Sequence, residues 1–123
     1  QDMHVTDIAG HRVGLLICAD LYAAPALHAR LVDDLGAELV VVSAEWTAEG
    51  ATRWPRAFAH DWSVPVAFAN AGDGAGVGSG IYAAGGAPLI EHADADTRLL
   101  IADVPLGDRP RPAPPPTRAS TGR

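Results

Sequence analysis

The sequence predicts an α/β protein built on a largely parallel sheet, and three observations predict it. Residues 12–18 (RVGLLIC) and 38–43 (ELVVVS) are almost continuous apolar runs, the pattern of strands buried on both faces. Between them, residues 22–35 place Leu27, Leu31, Val32 and Leu35 on one face at helical spacing. A helix joining two such strands makes a β-α-β unit, whose strands run parallel with a right-handed crossover.

The remaining elements follow in order. Residues 4–9 form a short first strand, closed by the turn signal Gly10-His11. Pro25 suits the first turn of the helix over 22–35, where its missing N–H has no partner to lose. Gly36 ends that helix as its C′ residue. A second helix covers 52–62, with Pro55 near its start, and a third buried strand covers 64–70 (VPVAFAN). A glycine-rich stretch follows, with Gly72, Gly74, Gly76, Gly78 and Gly80. Residues 81–84 and 89–92 form a hairpin around Gly85-Gly86-Ala87-Pro88, and 97–104 (TRLLIADV) is a last strand. From Pro105 the composition shifts. The folded domain is therefore placed at 1–107, and 108–123 is a disordered Pro/Arg-rich tail.

Composition bounds the function. The 123 residues are 48% hydrophobic and 20% charged, with a net charge of -6. That charge argues against a nucleic-acid partner, because phosphate binding needs basic patches. The longest apolar runs are far short of a membrane span, and no secretory leader is legible at the N-terminus. A single Cys excludes an internal disulfide, so a cytoplasmic protein is expected. All nine basic residues are Arg, and the chain holds no Lys.

Cys18 is the leading candidate for chemistry. It stands at the carboxyl end of a buried strand, where ligands bind in open α/β sheets. The helix that follows would favour a thiolate through its dipole, and the Ala19 N–H would be free to hold a developing oxyanion. A buried structural cysteine is the alternative at this point.

The surrounding words resemble a known family. Gly10-x-Arg12-Val13-Gly14-Leu15-Leu16-Ile17-Cys18-Ala19-Asp20 is similar to the nucleophile strand of the nitrilase (carbon–nitrogen hydrolase) superfamily. The likeness continues in order through Gly36-Ala37-Glu38-Leu39-Val40-Val41-Val42, Trp54-Pro55-Arg56-Ala57-Phe58-Ala59, Val64-Pro65-Val66-Ala67-Phe68-Ala69-Asn70 and Gly78-Ser79-Gly80-Ile81, to the strand at 99–104. Each word is weak alone; the ordered set is the signal. The resemblance implies the C-terminal half of a four-layer α-β-β-α sandwich, with Cys18 as nucleophile and Ala19 as backbone oxyanion donor. It implies a small amide or nitrile substrate, a thioester intermediate, no cofactor, no metal and a homo-oligomer in the full-length protein.

The sequence departs from that pattern in one decisive way. The general-base Glu and the Lys of the family's triad lie well upstream of the Cys, whereas only 17 residues precede Cys18 here and none of the 123 is Lys. Arg12 is no stand-in, because it belongs to the nucleophile strand itself. The expectation is a fragment with little or no activity alone, whose exposed sheet face promotes association. A non-catalytic α/β module or degenerate paralogue needing a partner is the competing reading.

Five further residues are candidates for the substrate site. Asp20 either orients the nucleophile turn or caps a helix. Glu45 and Trp46 follow the second buried strand, where pocket loops lie. Asn70 and Ser79 are expected to bond loop backbone beside the site. The glycine run is not a dinucleotide fingerprint, because Ser79 breaks the spacing and a strand, not a helix, follows. His60-Asp61 would give a Cys-His-Asp hydrolase, but adjacent helical residues face different ways. His4, His11, His28 and His92 show no metal-ligand spacing.

Overall fold

Among the described residues, six strands hydrogen-bond side by side in chain order. They are β1 (His4–Ile8), β2 (His11–Ile17), β3 (Leu39–Ala44), β4 (Val66–Asn70), β5 (Gly80–Tyr82) and β6 (Pro88–Glu91). The central pairs β2–β3 and β3–β4 are parallel, and the flanking pairs β1–β2, β4–β5 and β5–β6 are antiparallel. In this computed structural model the described residues are 4–23, 25–71, 78–92 and 99–107. Most of the glycine run, the start of the expected last strand and the tail at 108–123 lie outside them.

The parallel centre follows from two helical crossovers. The first comprises α1 (Asp20–Ala23), α2 (Pro25–Ala29) and a π-helical turn at Arg30–Asp34. Ala24, between α1 and α2, lies outside the described residues, and the end of the helix expected over 22–35 is π-helical. Pro25 opens α2, where its absent N–H costs nothing. The last turn widens so that Leu35 N–H donates to Arg30 O at 2.8 Å, one residue beyond the α-helical partner. Gly36, at φ +69°, terminates it as expected, and Ala37 N–H returns to Leu31 O at 3.1 Å. The second crossover, α3, spans Ala48–Trp62 and starts a turn earlier than the sequence suggested. Pro55 thus lies inside this helix, buried, rather than near its start.

The helices cover one face of the sheet. Leu16, Val40, Val42, Val66, Phe68 and Tyr82 pack from the strands against Leu21, Leu31, Val32, Ala51, Phe58 and Ala59. Gly14 lets the first crossover approach: a Cβ there would lie 2.8 Å from Leu31 Cδ1. The opposite face is open. Leu15 and Ile17 point outward from β2 and are 48% and 67% exposed.

The last expected strand, over 97–104, does not form among its described residues. Residues 99–107 carry no strand assignment, and Leu99 and Ile101 are largely exposed. Instead Leu100 meets Val41, Ala67, Ala69 and Ile81 along a shallow cleft. An apolar segment gains contact by lying against that open face without joining the ladder.

Candidate active site

Cys18 immediately follows β2, and its backbone is in the left-handed region at φ +48°. A non-glycine residue is seldom held there, so the position is a sharp elbow imposed by its surroundings. The hydrogen bonds that impose it are specific. Cys18 N–H donates to Ser43 O at 2.8 Å, Leu21 N–H donates to Cys18 O and Tyr22 N–H donates to Ala19 O, both at 3.1 Å. Asp20 Oδ2 accepts Ile17 N–H at 3.1 Å, reaching back across the turn. Asp20 thus bonds the backbone on the near side of the turn. None of these bonds uses the Ala19 N–H.

The dipole of the helix that begins at Asp20 favours a thiolate at Cys18, but the Asp20 carboxylate in its first turn opposes it. His28 braces the region. It is buried, its Nε2–H donates to Asp20 O at 2.6 Å, and its ring meets Phe58 edge-on at 4.8 Å. Nothing in the sequence singled out His28 for this role.

The loop after β3 is fixed from below by Asn70. Trp46 N–H donates to Asn70 Oδ1 at 2.8 Å, and Asn70 Nδ2 donates to Trp46 O at 3.0 Å. Asn70 is buried at 5% exposure, so both bonds are shielded from water. Asn70 N–H in turn donates to Ser79 Oγ at 2.8 Å. Asn70 and Ser79 therefore hold backbone, while Glu45 and Trp46 line a cleft of about 380 Å³ with Tyr22, Thr47, Gly50 and Trp54. The aromatic partners Tyr22 and Trp54 went unnoticed in the sequence, because they sit on two different crossovers. Cys18 itself is partly exposed at the rim of this end of the sheet.

Two other candidates are separated from Cys18. Arg12 lies at the opposite end of β2, about 20 Å along the strand, where its Nη1 donates to Leu35 O at 2.8 Å. His60 and Asp61 do contact each other, at 3.0 Å, which the rule against neighbouring helical residues had discounted. Both are exposed, however, and lie three turns down α3 from Gly50, about 15 Å away along its axis. Among the described residues, no group of three or more His, Cys, Asp or Glu could hold a metal ion, and no helix is long and apolar enough to cross a membrane.

No protein-family model matches the sequence, and no curated protein matches it. Solved structures do. An amidase from Nesterenkonia sp. AN1 aligns with a TM-score of 0.68 at 26% identity, over 85% of this chain and 43% of its own. A CN-hydrolase superfamily protein from Xanthomonas campestris, with an arsenic adduct in its active site, gives 0.64 at 21% identity, over 78% and 42%. The glutamine-dependent NAD+ synthetase of Acinetobacter baumannii gives 0.66 at 15% identity, over 80% of this chain and 20% of its own. The chain spans less than half the length of each. Its α/β architecture is that of the nitrilase, or carbon–nitrogen hydrolase, superfamily, present here as part of that fold.

Proposed function

We propose that Cys18 is the nucleophile position of a hydrolase acting on non-peptide carbon–nitrogen bonds, in amides or nitriles. The observation that carries the proposal is the elbow itself: a thiol at a strand's carboxyl end, held at positive φ, beside a backbone N–H that the turn leaves unused. In this reading the thiolate adds to the carbonyl or nitrile carbon, and the Ala19 N–H takes a share of the charge on the atom that becomes negative. For an amide, ammonia or an amine then leaves with a proton, a thioester forms on Cys18, and water hydrolyses it. A mutant of the Nesterenkonia amidase supports a nucleophilic cysteine in this fold, because acrylamide undergoes Michael addition at its active-site cysteine.

Asp20 would set the turn, and Glu45 and Trp46 would face substrate. Asn70 and Ser79 would act through the loop they hold. The 123 residues supply no Lys for the triad that the resemblance implies. We infer that they do not turn over amides alone.

An activated ester separates the steps, because its leaving group departs without protonation while deacylation still needs a base. Treated with p-nitrophenyl acetate, the chain should acquire one stable acetyl group at Cys18, seen by intact-mass spectrometry and absent in Cys18→Ala. Incubated with acetamide, it should release no ammonia. Ammonia release abolished by Cys18→Ala would overturn the incompleteness; an acetyl group placed elsewhere would overturn the nucleophile. The second reading, a module that works beside a partner, is favoured by the open apolar sheet face, and it predicts no turnover and an acetylation of Cys18 no faster than in the unfolded chain.

A further inference from the structure

The Ala19 N–H, which would meet a developing oxyanion, is one end of a series of bonds whose other end is His28. A peptide unit is planar, with its C=O and N–H pointing opposite ways, so holding one end holds the other. The Ala19 N–H shares its peptide with Cys18 O, which accepts the Leu21 N–H at 3.1 Å. The Leu21 N–H shares its peptide with Asp20 O, which accepts His28 Nε2–H at 2.6 Å. Two peptides and two hydrogen bonds therefore run in series from the His28 ring to the Ala19 N–H. Every donor in the series points the same way. Donation to a carbonyl strengthens the N–H of the same peptide as a donor, by about 10–30% per bond.

The first donor is itself fixed. His28 is buried, and its ring stands edge-on to Phe58 at 4.8 Å and to Trp62 at 5.8 Å. Both of those rings belong to α3. An apolar side chain would fill this setting without the cost of taking ring nitrogens out of water. What a histidine adds there is the bond to Asp20 O. The Asp20 carboxylate acts on the incoming side of the elbow, at the Ile17 N–H; His28 acts on the outgoing side, where the Ala19 N–H is set.

We propose that His28 is a positioning residue for the oxyanion site: through Asp20 O and the bond from Leu21 N–H to Cys18 O, it aims and polarises the Ala19 N–H. The oxyanion part of the proposal rests on the hydrolase reading. The series of bonds rests on the geometry alone.

The test compares Cys18 acetylation by p-nitrophenyl acetate in the folded chain with that in urea, by intact-mass spectrometry. The unaltered chain should react about ten-fold faster when folded. His28→Leu keeps bulk and loses the donor, and should bring the ratio down to about two-fold or less. His28→Gln, whose side-chain N–H reaches about as far from the backbone as the ring Nε2–H, should recover most of the ratio. A histidine that only holds the fold would lower the urea midpoint in both variants and leave the ratio where it was. A ratio that survives His28→Leu, or that Gln does not recover, overturns the proposal. A second measurement needs no variant. In the acetylated unaltered chain the thioester oxygen takes the Ala19 N–H, and the Ala19 N–H, Leu21 N–H and His28 Nε2–H resonances should move downfield together. A His28 resonance that stays in place overturns the proposal as well. The two readings fail separately: an unaltered chain that acetylates no faster folded than unfolded sinks the hydrolase reading, whereas a ten-fold ratio indifferent to His28 sinks this one alone.

Discussion

Asn70 grips Trp46 by both edges of its side-chain amide, accepting from the Trp46 N–H at 2.8 Å and donating to the Trp46 carbonyl at 3.0 Å. One buried side chain at the end of β4 thereby fixes the loop after β3, and with it Glu45 and the aromatic cleft. Asn70→Ala strands the Trp46 N–H and carbonyl, whereas Asn70→Asp keeps the acceptor, loses the donor and buries a charge. Each should cost about 1–3 kcal/mol, measured by urea unfolding. Each should also shift the tryptophan emission to longer wavelength, because the Trp46 ring loses its fixed seat on Phe68.

Tyr82 predicts an alkaline weakness. It is fully buried, and its O–H donates to Glu91 Oε1 at 3.0 Å. Burial, then the hydrogen bond to Glu91 and the charge on Glu91, push its phenol above the ordinary tyrosine range, with Arg56 pulling weakly the other way. The folded state therefore keeps the proton to higher pH than the unfolded chain does. This contribution to stability is complete below about pH 10 and is lost as pH climbs beyond it. Urea midpoints should fall across that range, and Tyr82→Phe should flatten the fall.

The uncovered sheet face predicts association. Leu15 and Ile17 stand on it in adjacent outward positions of β2, 48% and 67% exposed, and contiguous apolar surface of this kind drives proteins together. The 123 residues should show a mass above the monomer's by light scattering, rising with concentration. Leu15→Glu combined with Ile17→Glu should shift that distribution toward monomer. A clean monomer for the unaltered chain would mean that this face is tolerated in water.

Much of the fold was legible because its signals are local. The runs at 12–18 and 38–43 became β2 and β3, each shifted by one residue, although Leu15 and Ile17 leave one face of β2 exposed where the run predicted burial on both. Gly36 stopped its helix as expected, because a positive φ is cheapest at glycine. Where the sequence misled, non-local packing decided. Thr97–Val104 has strand-like composition, yet its described part lies against the sheet face without pairing. The site was legible in part for the same reason. Cys18 and Asp20 announce themselves within one turn. Tyr22, Trp46 and Trp54 are far apart in the chain, and only the two crossovers bring their rings together. The positive φ of Cys18 has no sequence signature at all, because it is held by the bond from Cys18 N–H to Ser43 O, the bond from Leu21 N–H to Cys18 O and the neighbouring bond from Ile17 N–H to Asp20 Oδ2.

The rate of acetylation at Cys18 tests the central claim most directly. The ratio of the folded to the unfolded rate at one alkaline pH reads the help that the fold gives to the attacking thiol and to the developing oxyanion. With p-nitrophenyl acetate, the folded chain should acetylate Cys18 about ten-fold faster than the same chain unfolded in urea, a modest part of what one enclosed oxyanion donor supplies. A folded rate equal to or slower than the unfolded rate would contradict the account, leaving Cys18 as a cysteine that the elbow exposes but does not assist.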